Sequence, residues 1–205
     1  TNSETDLPGI FETEEKGLIL LKKQSDFFVP RVIFSGTCKE HNFLILEFME
    51  NETPNRDFWS VFGQNLAKMH QQTHVRFGLN YDNYIGSLKQ SNKQQGDWAS
   101  FFVEERLEKM LILARNSAKV TPEITGKFSR LFSRLDKIYP DEPPALLHGD
   151  LWSGNFLAGP KGTPCIVDPA VYYGHREMDL GMSRLFGGFD RSFYQAYQEN
   201  YPMEK

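Results

Sequence analysis

One short stretch of this chain constrains its fold more than any other, the run from His148 to Asn155. It reads H-G-D-L-W-S-G-N, and Asp168 follows thirteen residues after the asparagine. His148, Asp150 and Asn155 match H-x-D-x-x-x-x-N, which with a later aspartate is the pattern of a phosphoryl-transfer catalytic loop. The sequence therefore predicts a fold that brings one loop and the end of a following strand into the same site.

The residue types in this pattern fit the chemistry of that reaction. Phosphoryl transfer needs an acceptor oxygen held in line with the leaving phosphate and cations that take up the developing charge. Asp150 can accept the proton of an acceptor hydroxyl. The amide oxygen of Asn155 and the carboxylate of Asp168 suit Mg²⁺, which takes its remaining ligands from water and phosphates. These three residues therefore predict a catalytic carboxylate beside a two-ligand metal site.

The sequence around the motif indicates a loop set between strands. Residues 145–147 are an apolar run directly before it, and residues 156–158 and 165–167 are two more runs on either side of the turn 159–162. Short apolar runs bounded by glycine and proline indicate buried strands. An isolated H-G-D would indicate only a turn, so the strand context is what favours a catalytic loop.

Length and composition limit the possible classes of protein. The chain has 205 residues, with 23 basic and 27 acidic residues and a net charge of −4. The basic residues are scattered, which argues against a nucleic-acid partner because phosphate contacts need a basic patch. No apolar run is long enough to span a membrane and no secretory signal opens the sequence, so we expect a cytoplasmic protein without a membrane partner. Cys38 and Cys165 lack C-x-x-C spacing, which favours reduced, partly buried thiols.

The first fifty residues predict a helix followed by a β-hairpin. Residues 11–23 combine an acidic first turn with apolar positions at helical spacing. Residues 29–34 and 43–48 are apolar and aromatic runs separated by a turn, which is typical of an antiparallel hairpin. The second run is apolar on both faces, so we expect its strand inside the sheet. The pattern breaks before Pro54, and we place a domain boundary between residues 50 and 51.

The rest of the chain predicts a mainly helical region. Asp57 and Asp97 fit the N-caps of two helices, and Thr121-Pro122 is a strong start for a third. The apolar stripes of these helices predict faces buried in the core. Residues 77–88 and 169–176 are expected to be loops, and two further helices are expected near the chain end.

Five segments of the sequence, taken together, resemble one known family, the fructosamine kinases or ketosamine-3-kinases. They are residues 148–155, 168–170, 77–87, 173–180 and the helix that starts at Trp98. The tryptophan directly after H-G-D-L is more specific than H-G-D itself. The family belongs to the aminoglycoside-phosphotransferase-like branch of the protein-kinase-like fold. The resemblance therefore implies an α+β, bilobal fold, with a truncated β lobe at residues 1–50 and a mainly helical lobe at residues 51–205.

The resemblance also implies an activity. The family transfers the γ-phosphate of ATP, with Mg²⁺, to the 3-hydroxyl of a ketoamine, which is the adduct of a sugar with a small or protein-bound amine. Fructosamine and ribulosamine are such adducts, and the phosphorylated product decomposes, which links the family to protein deglycation. A kinase for another hydroxyl acceptor, such as an aminoglycoside, choline or a sugar, is the alternative. A kinase-like binding module without catalysis is a second alternative.

Carried over position by position, the resemblance implies roles at the acceptor and at the metal. Asp150 is the implied base, Asn155 and Asp168 are the implied Mg²⁺ ligands, and Trp152 is an implied wall of the ketoamine site.

The same comparison implies roles in nucleotide binding and in loop support. Glu47 and Met49 are expected to offer backbone groups to adenine, and Glu14 resembles the helix glutamate that pairs with a nucleotide-binding lysine. His148 and Asp179 are expected to brace the catalytic loop, so their implied roles are structural.

Two parts of the family pattern are not found in these 205 residues. The family places a Gly-rich phosphate loop and a strand lysine before the helix that carries Glu14, whereas Lys16 and Lys22 lie on that helix. Further helices usually follow the position of Pro202. We therefore expect the chain to be part of a larger protein, with its C-terminal helices incomplete.

Overall fold

The computed structural model describes residues 2–3, 7–39 and 41–203. The first part of the chain holds three strands and a helix, which are β1 (Asn2–Ser3), α1 (Ile10–Gln24), β2 (Val32–Cys38) and β3 (His41–Leu46). The strands form one antiparallel sheet in the order β1-β3-β2. The predicted hairpin is therefore confirmed, and its second strand lies inside the sheet as expected. The two strands do not coincide with the predicted apolar runs at 29–34 and 43–48. Their pairing begins at Val32 with Leu46 and ends at Cys38 with His41.

Most of the remaining chain is helical. Its α-helices are α2 (Phe58–His70), α3 (Trp98–Phe102), α4 (Glu108–Asn116), α5 (Pro122–Phe132), α6 (Glu177–Leu185) and α7 (Arg191–Asn200), with a π-helical turn at Val103–Leu107. The side chain of Asp97 accepts a hydrogen bond from the Ser100 N–H at 2.8 Å, and that of Thr121 accepts from the Ile124 N–H at 3.3 Å. These two predicted caps are confirmed. Asp57 occupies the cap position of α2 without a side-chain cap bond.

Three pairs of short antiparallel strands lie within the helical part. They are β4 (Asn83–Ile85) with β5 (Leu88–Gln90), β6 (Ala145–Leu147) with β9 (Tyr172–Gly174), and β7 (Phe156–Ala158) with β8 (Pro164–Ile166). The prediction of plain loops at 77–88 and 169–176 was wrong, because each segment contains a strand. Asn83 explains the first case, since its amide donates to the Val171 carbonyl at 2.9 Å and fixes the hairpin by a long-range contact.

The predicted catalytic loop rests on an aromatic core built between α2 and α7. Phe62 is fully buried, and its ring contacts the rings of Phe58, Phe156 and Phe193 at centroid distances of 5.3 to 5.9 Å. Leu151, inside the catalytic stretch, is fully buried in the same cluster. Burying each such side chain contributes about 1.5–3 kcal/mol to stability. The packed core therefore holds the loop in a fixed position.

Helix α5 differs from its prediction. Its apolar stripe predicted a buried face, but none of its residues is buried, and it ends at Phe132 before a short 3₁₀ turn at Leu135–Lys137. A helical period shows that one face is apolar and does not show which element covers that face.

The sequence-based expectations on thiols and membranes can also be compared with the structure. Both cysteines are free thiols, and Cys165 is buried, but the expected burial of Cys38 was wrong because its side chain is exposed. Within the described ranges, no helix combines the length and the apolar character that crossing a bilayer requires.

Candidate active site

The predicted catalytic stretch forms the loop between β6 and β7, and helix α6 holds its first residues. The backbone N–H groups of His148 and Gly149 donate to the two carboxylate oxygens of Asp179 at 2.8 and 2.9 Å. Asp179 lies in the first turn of α6 with 1% of its surface exposed. Asp179 therefore holds the start of the loop through two hydrogen bonds, which fits the bracing role that the resemblance implies.

A second layer of hydrogen bonds orients Asp179 itself. The Nε2 of His70 lies 3.2 Å from the carboxylate, and the Nδ1 of His70 lies 2.8 Å from the Tyr197 hydroxyl. Because a carboxylate only accepts hydrogen bonds, Nε2 carries a proton. Burial alone would raise the pKa of Asp179, but the hydrogen bond and charge of His70, with the bond from Gly149, hold this pKa below its ordinary value. The loop therefore rests on an ionised, fully bonded carboxylate.

His148 joins the catalytic loop to the end of β8. Its Nε2 lies 3.0 Å from the Val167 carbonyl, and its Nδ1 accepts from the Asp150 N–H at 3.3 Å. A carbonyl only accepts, so Nε2 carries the proton and the ring is neutral. Burial lowers the pKa of His148 and outweighs the nearby carboxylates, which favours the same neutral form. The contacts of His148 match a bracing role.

The structure brings Asp150, Asn155 and Asp168 into one cavity of about 410 Å³, as the spacing predicts. The amide nitrogen of Asn155 donates to the Asp150 carboxylate and to the Asp150 carbonyl, both at 2.9 Å, and lies 3.5 Å from the Asp168 carbonyl. Burial raises the pKa of Asp150, against the opposing effects of His148 and Asn155. A raised pKa makes this carboxylate a better proton acceptor near neutral pH.

Asp168 adopts a backbone conformation that few residues other than glycine adopt. Its φ is 51°, in the left-handed region, where aspartate is among the better tolerated side chains. Hydrogen bonds on both sides hold this turn, from Val167 N–H to the Asn155 carbonyl at 3.0 Å and from Ala170 N–H to the His148 carbonyl at 2.9 Å. Such strain persists only where its surroundings enforce it, and it is concentrated at functional sites.

The donor atoms in the cavity fit a metal ion that shares its coordination with phosphates. Because Asn155 turns its amide nitrogen toward Asp150, its amide oxygen is left available as a ligand. In the part of the chain that the structure describes, no three His, Cys, Asp or Glu residues are grouped so that they could hold a metal alone. Asn155 and Asp168 therefore fit Mg²⁺, which binds through one or two protein ligands plus substrate phosphates.

The opposite wall of the cavity comes from α1 and from the β4–β5 hairpin. Asn83, Tyr84 and Gly86 of the hairpin line it, and the Tyr84 hydroxyl donates to the Pro8 carbonyl at 3.0 Å. This bond ties the hairpin to the start of α1. Sequence reasoning missed Asn83 and Tyr84 as wall residues, although their segment is one of the five that carry the resemblance.

Of the nine predicted site residues, five line this cavity, two lie beneath it and two lie elsewhere. Trp152 lines it beside Asp150, and Glu14 of α1 lines it from the other side. Glu47 and Met49 are not among the lining residues. The Glu47 N–H donates to the Arg31 carbonyl at 2.8 Å, which ties this residue to the start of β2. The adenine contacts of Glu47 and Met49 therefore stay a prediction.

Glu14 is a partly buried carboxyl group close to Asp168. Burial, followed by the negative charge of Asp168, raises the pKa of Glu14 from 4.5 to about 7. Near neutral pH this carboxyl group is therefore only partly ionised, and a cation placed beside it would favour the ionised form.

The raised pKa of Glu14 should make the stability of this 205-residue chain depend on pH. A carboxyl group whose folded pKa exceeds its unfolded pKa favours folding when protonated, so its contribution is complete below pH 4.5 and is lost as pH rises through about 7. Urea unfolding should be measured at pH 4.5, 6 and 8. Over this range the free energy of unfolding of the wild type should fall by about 3 kcal/mol relative to that of Glu14→Gln. Glu12→Gln, on the exposed face of α1, should keep the wild-type slope. Parallel curves for the wild type and Glu14→Gln would refute the raised pKa.

Gly149 should not tolerate a side chain. Its φ is +83°, and an added Cβ would collide with the Ala170 carbonyl. Left-handed backbone and overpacking together should make Gly149→Ala less stable by about 2–5 kcal/mol, measured by urea denaturation, and should abolish turnover. In Gly181→Ala, the added Cβ meets no atom within 4 Å inside helix α6, so we expect a gain of about 0.5–1 kcal/mol. Equal effects of the two substitutions would contradict this geometry.

Comparisons with known proteins identify relatives of this chain. A protein of Lactiplantibacillus plantarum described as a probable ketoamine kinase is 42% identical over 195 residues, which are 94% of this chain and 68% of that protein. The solved structure of a candidate fructosamine-3-kinase from Haemophilus somnus 129PT superposes with a TM-score of 0.90 at 32% identity, covering 100% of this chain and 68% of that one. This chain spans about two thirds of the length of such relatives.

A more distant structure identifies the fold. An aminoglycoside-3'-phosphotransferase of type VIII superposes with a TM-score of 0.54 at 18% identity, over 94% of this chain and 73% of that one. This likeness confirms the predicted α+β, protein-kinase-like fold. The family model of fructosamine kinases matches residues 1–205. The chain therefore belongs to the fructosamine kinase family, a family of phosphotransferases.

Proposed function

We propose that the full-length protein is an ATP- and Mg²⁺-dependent kinase that phosphorylates the 3-hydroxyl of ketoamines such as fructosamine and ribulosamine adducts. The observation that supports this most is the meeting of Asp150, Asn155 and Asp168 in one cavity, in a chain of this family. Because the phosphorylated adduct is unstable, the reaction would remove sugars from amines, which is a repair of glycated protein. A cytoplasmic location is part of the same proposal.

Asp150 is the proposed base of the reaction. One of its carboxylate oxygens accepts from Asn155, which fixes the orientation of the group. Its other oxygen accepts no hydrogen bond from the part of the chain that the structure describes. This oxygen can therefore accept a hydrogen bond from the hydroxyl of the substrate. Holding this hydroxyl and removing its proton as the phosphate bond forms is worth about 10²- to 10⁴-fold in rate.

Asn155 and Asp168 are the proposed metal ligands, with one neutral and one charged oxygen. Mg²⁺ bound there would neutralise negative charge on the transferring phosphoryl group. The protein contributes the fixed positions of the two oxygens, since Asn155 is bonded to the catalytic loop and Asp168 is held in its strained turn. This arrangement lowers the reorganisation needed during the transfer.

The nucleotide would lie between the two parts of the chain. We place their division at residues 50 and 51, with Glu47 and Met49 offering backbone groups to adenine and Glu14 pairing with a lysine that binds the phosphates. The raised pKa of Glu14 supports this pairing, because a partly buried carboxyl group near Asp168 is stabilised in its ionised form by a neighbouring cation.

The ketoamine is the acceptor that the comparisons favour. The relative from Lactiplantibacillus plantarum is described as a ketoamine kinase, and Trp152 stands beside Asp150 in the cavity wall. An indole face can cover the sugar carbons and attract the positively charged amine of the adduct. Trp152 is therefore the proposed wall of the acceptor site.

An acceptor panel tests this function directly. The full-length protein would be given γ-labelled ATP, Mg²⁺ and, separately, fructosyl-lysine, ribulosyl-lysine, kanamycin, choline and fructose. We expect transfer to the two lysine adducts at rates well above those for the other acceptors. Preference for kanamycin, choline or fructose would assign another acceptor class, and nucleotide binding without transfer to any acceptor would indicate a non-catalytic module.

A further inference from the structure

An exposed apolar surface lies next to the acceptor wall and outside the cavity. At the end of α6, Leu185 is 74% exposed and Phe186 is 60% exposed. The ring of Phe186 lies 5.7 Å from the indole of Trp152, at an interplanar angle of 55°. Trp152 lines the cavity, whereas Leu185 and Phe186 do not. Phe186 therefore extends the apolar surface of Trp152 outside the cavity, and Leu185 precedes it in the chain. We call these three residues the rim.

The position of this rim is fixed by the chain that follows it. Gly187 and Gly188 turn the backbone with φ of 70° and 89°, and Gly188 lies against Ser153 of the catalytic loop. Phe189 then enters the core, with its ring 4.9 Å from that of Phe193. Phe186 is therefore held beside the catalytic loop by an anchored turn, although its own side chain faces solvent.

The geometry determines which part of an acceptor would reach the rim. A sugar whose hydroxyl lies at Asp150 occupies the cavity next to Trp152, together with the end of the nucleotide. The amine and its substituent are attached at the other side of the sugar and must leave the cavity of about 410 Å³. Because the exposed ring of Phe186 lies beside Trp152 outside the cavity, an amine substituent that leaves along Trp152 would lie against the rim. Contact with exposed aromatic and aliphatic side chains favours apolar and aromatic substituents.

We propose that Phe186, with Leu185, forms a subsite for the amine substituent of the ketoamine and selects substrates in which this substituent is apolar or aromatic. The inference rests on the proposed function. It adds a residue that determines specificity and a chemical class of acceptor, namely ketoamines of hydrophobic amino acids or of lysines next to apolar residues.

The test compares two acceptors that share one sugar. In the full-length protein, kcat/KM would be measured for fructosyl-phenylalanine and fructosyl-glycine with wild type, Phe186→Ala and Leu185→Ala. We expect Phe186→Ala to lower kcat/KM for the phenylalanine adduct about tenfold, mainly through KM, and to leave the glycine adduct within about twofold. Phe186→Tyr should retain the preference. Val75→Ala, at an exposed apolar position elsewhere, should change kcat/KM for neither acceptor.

The outcomes separate this inference from the function on which it rests. If Phe186→Ala left the ratio of kcat/KM between the phenylalanine and glycine adducts unchanged, the subsite would be overturned. An equal loss of kcat/KM for both adducts would overturn it as well. A wild-type protein that phosphorylates neither acceptor would instead overturn the proposed function, and the subsite with it. Unchanged KM for ATP in all variants is expected, because the rim lies outside the nucleotide site.

Discussion

Asp150→Asn is expected to lower the kcat of the full-length protein by about 10²- to 10⁴-fold while leaving the fold intact. Asparagine has nearly the same size and keeps an oxygen that can accept the hydrogen bond from Asn155, which is 2.9 Å long in the structure. The substitution therefore removes the basicity of the group and little else. Steady-state rates with saturating ATP and ketoamine would measure the effect, and circular dichroism would confirm that the fold is retained.

A matched control is Asp141→Asn, at an exposed position on the segment that leads into β6. We expect it to leave kcat within about twofold, since Asp141 is not among the residues that line the cavity. If Asp150→Asn retained the turnover of Asp141→Asn, Asp150 would have no part in proton transfer.

The second large effect is expected at Asp179, on stability as well as on activity. Asp179→Ala removes the acceptor of the His148 and Gly149 N–H groups and of His70 at once. Three buried donors would lose their partner, and losing one member of a buried, charged network costs about 3–5 kcal/mol. Urea denaturation at neutral pH should show this loss of the free energy of unfolding, with kcat reduced in the folded fraction because the loop is no longer held.

The control for this change is Asp190→Ala, which removes an exposed helix cap on the adjacent element. Asp190→Ala should lower the free energy of unfolding far less than Asp179→Ala does. Both variants should lose a pH dependence of the same sign, because hydrogen bonds from Ser192 also hold the pKa of Asp190 below its ordinary value. Because the folded pKa of Asp179 is depressed, its contribution to the free energy of unfolding is present above its unfolded pKa and is lost as pH falls through its folded pKa. A loss of stability in Asp179→Ala no larger than that in Asp190→Ala would refute the bracing role.

The site was largely predictable from sequence because its chemistry is carried by a local pattern. His148, Asp150 and Asn155 lie within eight residues, so their spacing alone nearly fixes their geometry. The caps at Asp97 and Thr121 were predictable for the same reason, since each contact spans three residues. Local chemistry determines local structure wherever the partners are close in the chain.

Other features depend on partners that sequence spacing does not show. Strand β9 was missed because it pairs with β6, about 27 residues earlier in the chain. The wall formed by Asn83 and Tyr84 depends on bonds to Val171 and Pro8, which are far away in sequence. The exposed face of α5 could not be recognised either, since its pattern resembles that of a buried helix. The role of His70 in orienting Asp179 likewise links positions 109 residues apart.

Identification of the phosphorylated product tests the central claim most directly. The full-length protein would be incubated with ATP, Mg²⁺ and fructosyl-lysine, and the product would be examined by phosphorus and proton NMR. A phosphomonoester coupled to the proton on carbon 3 of the sugar is expected, and it should not form when Mg²⁺ is removed by a chelator. Absence of any sugar phosphoester, or a phosphate on a different hydroxyl, would contradict the assignment of this cavity as a ketoamine 3-kinase site.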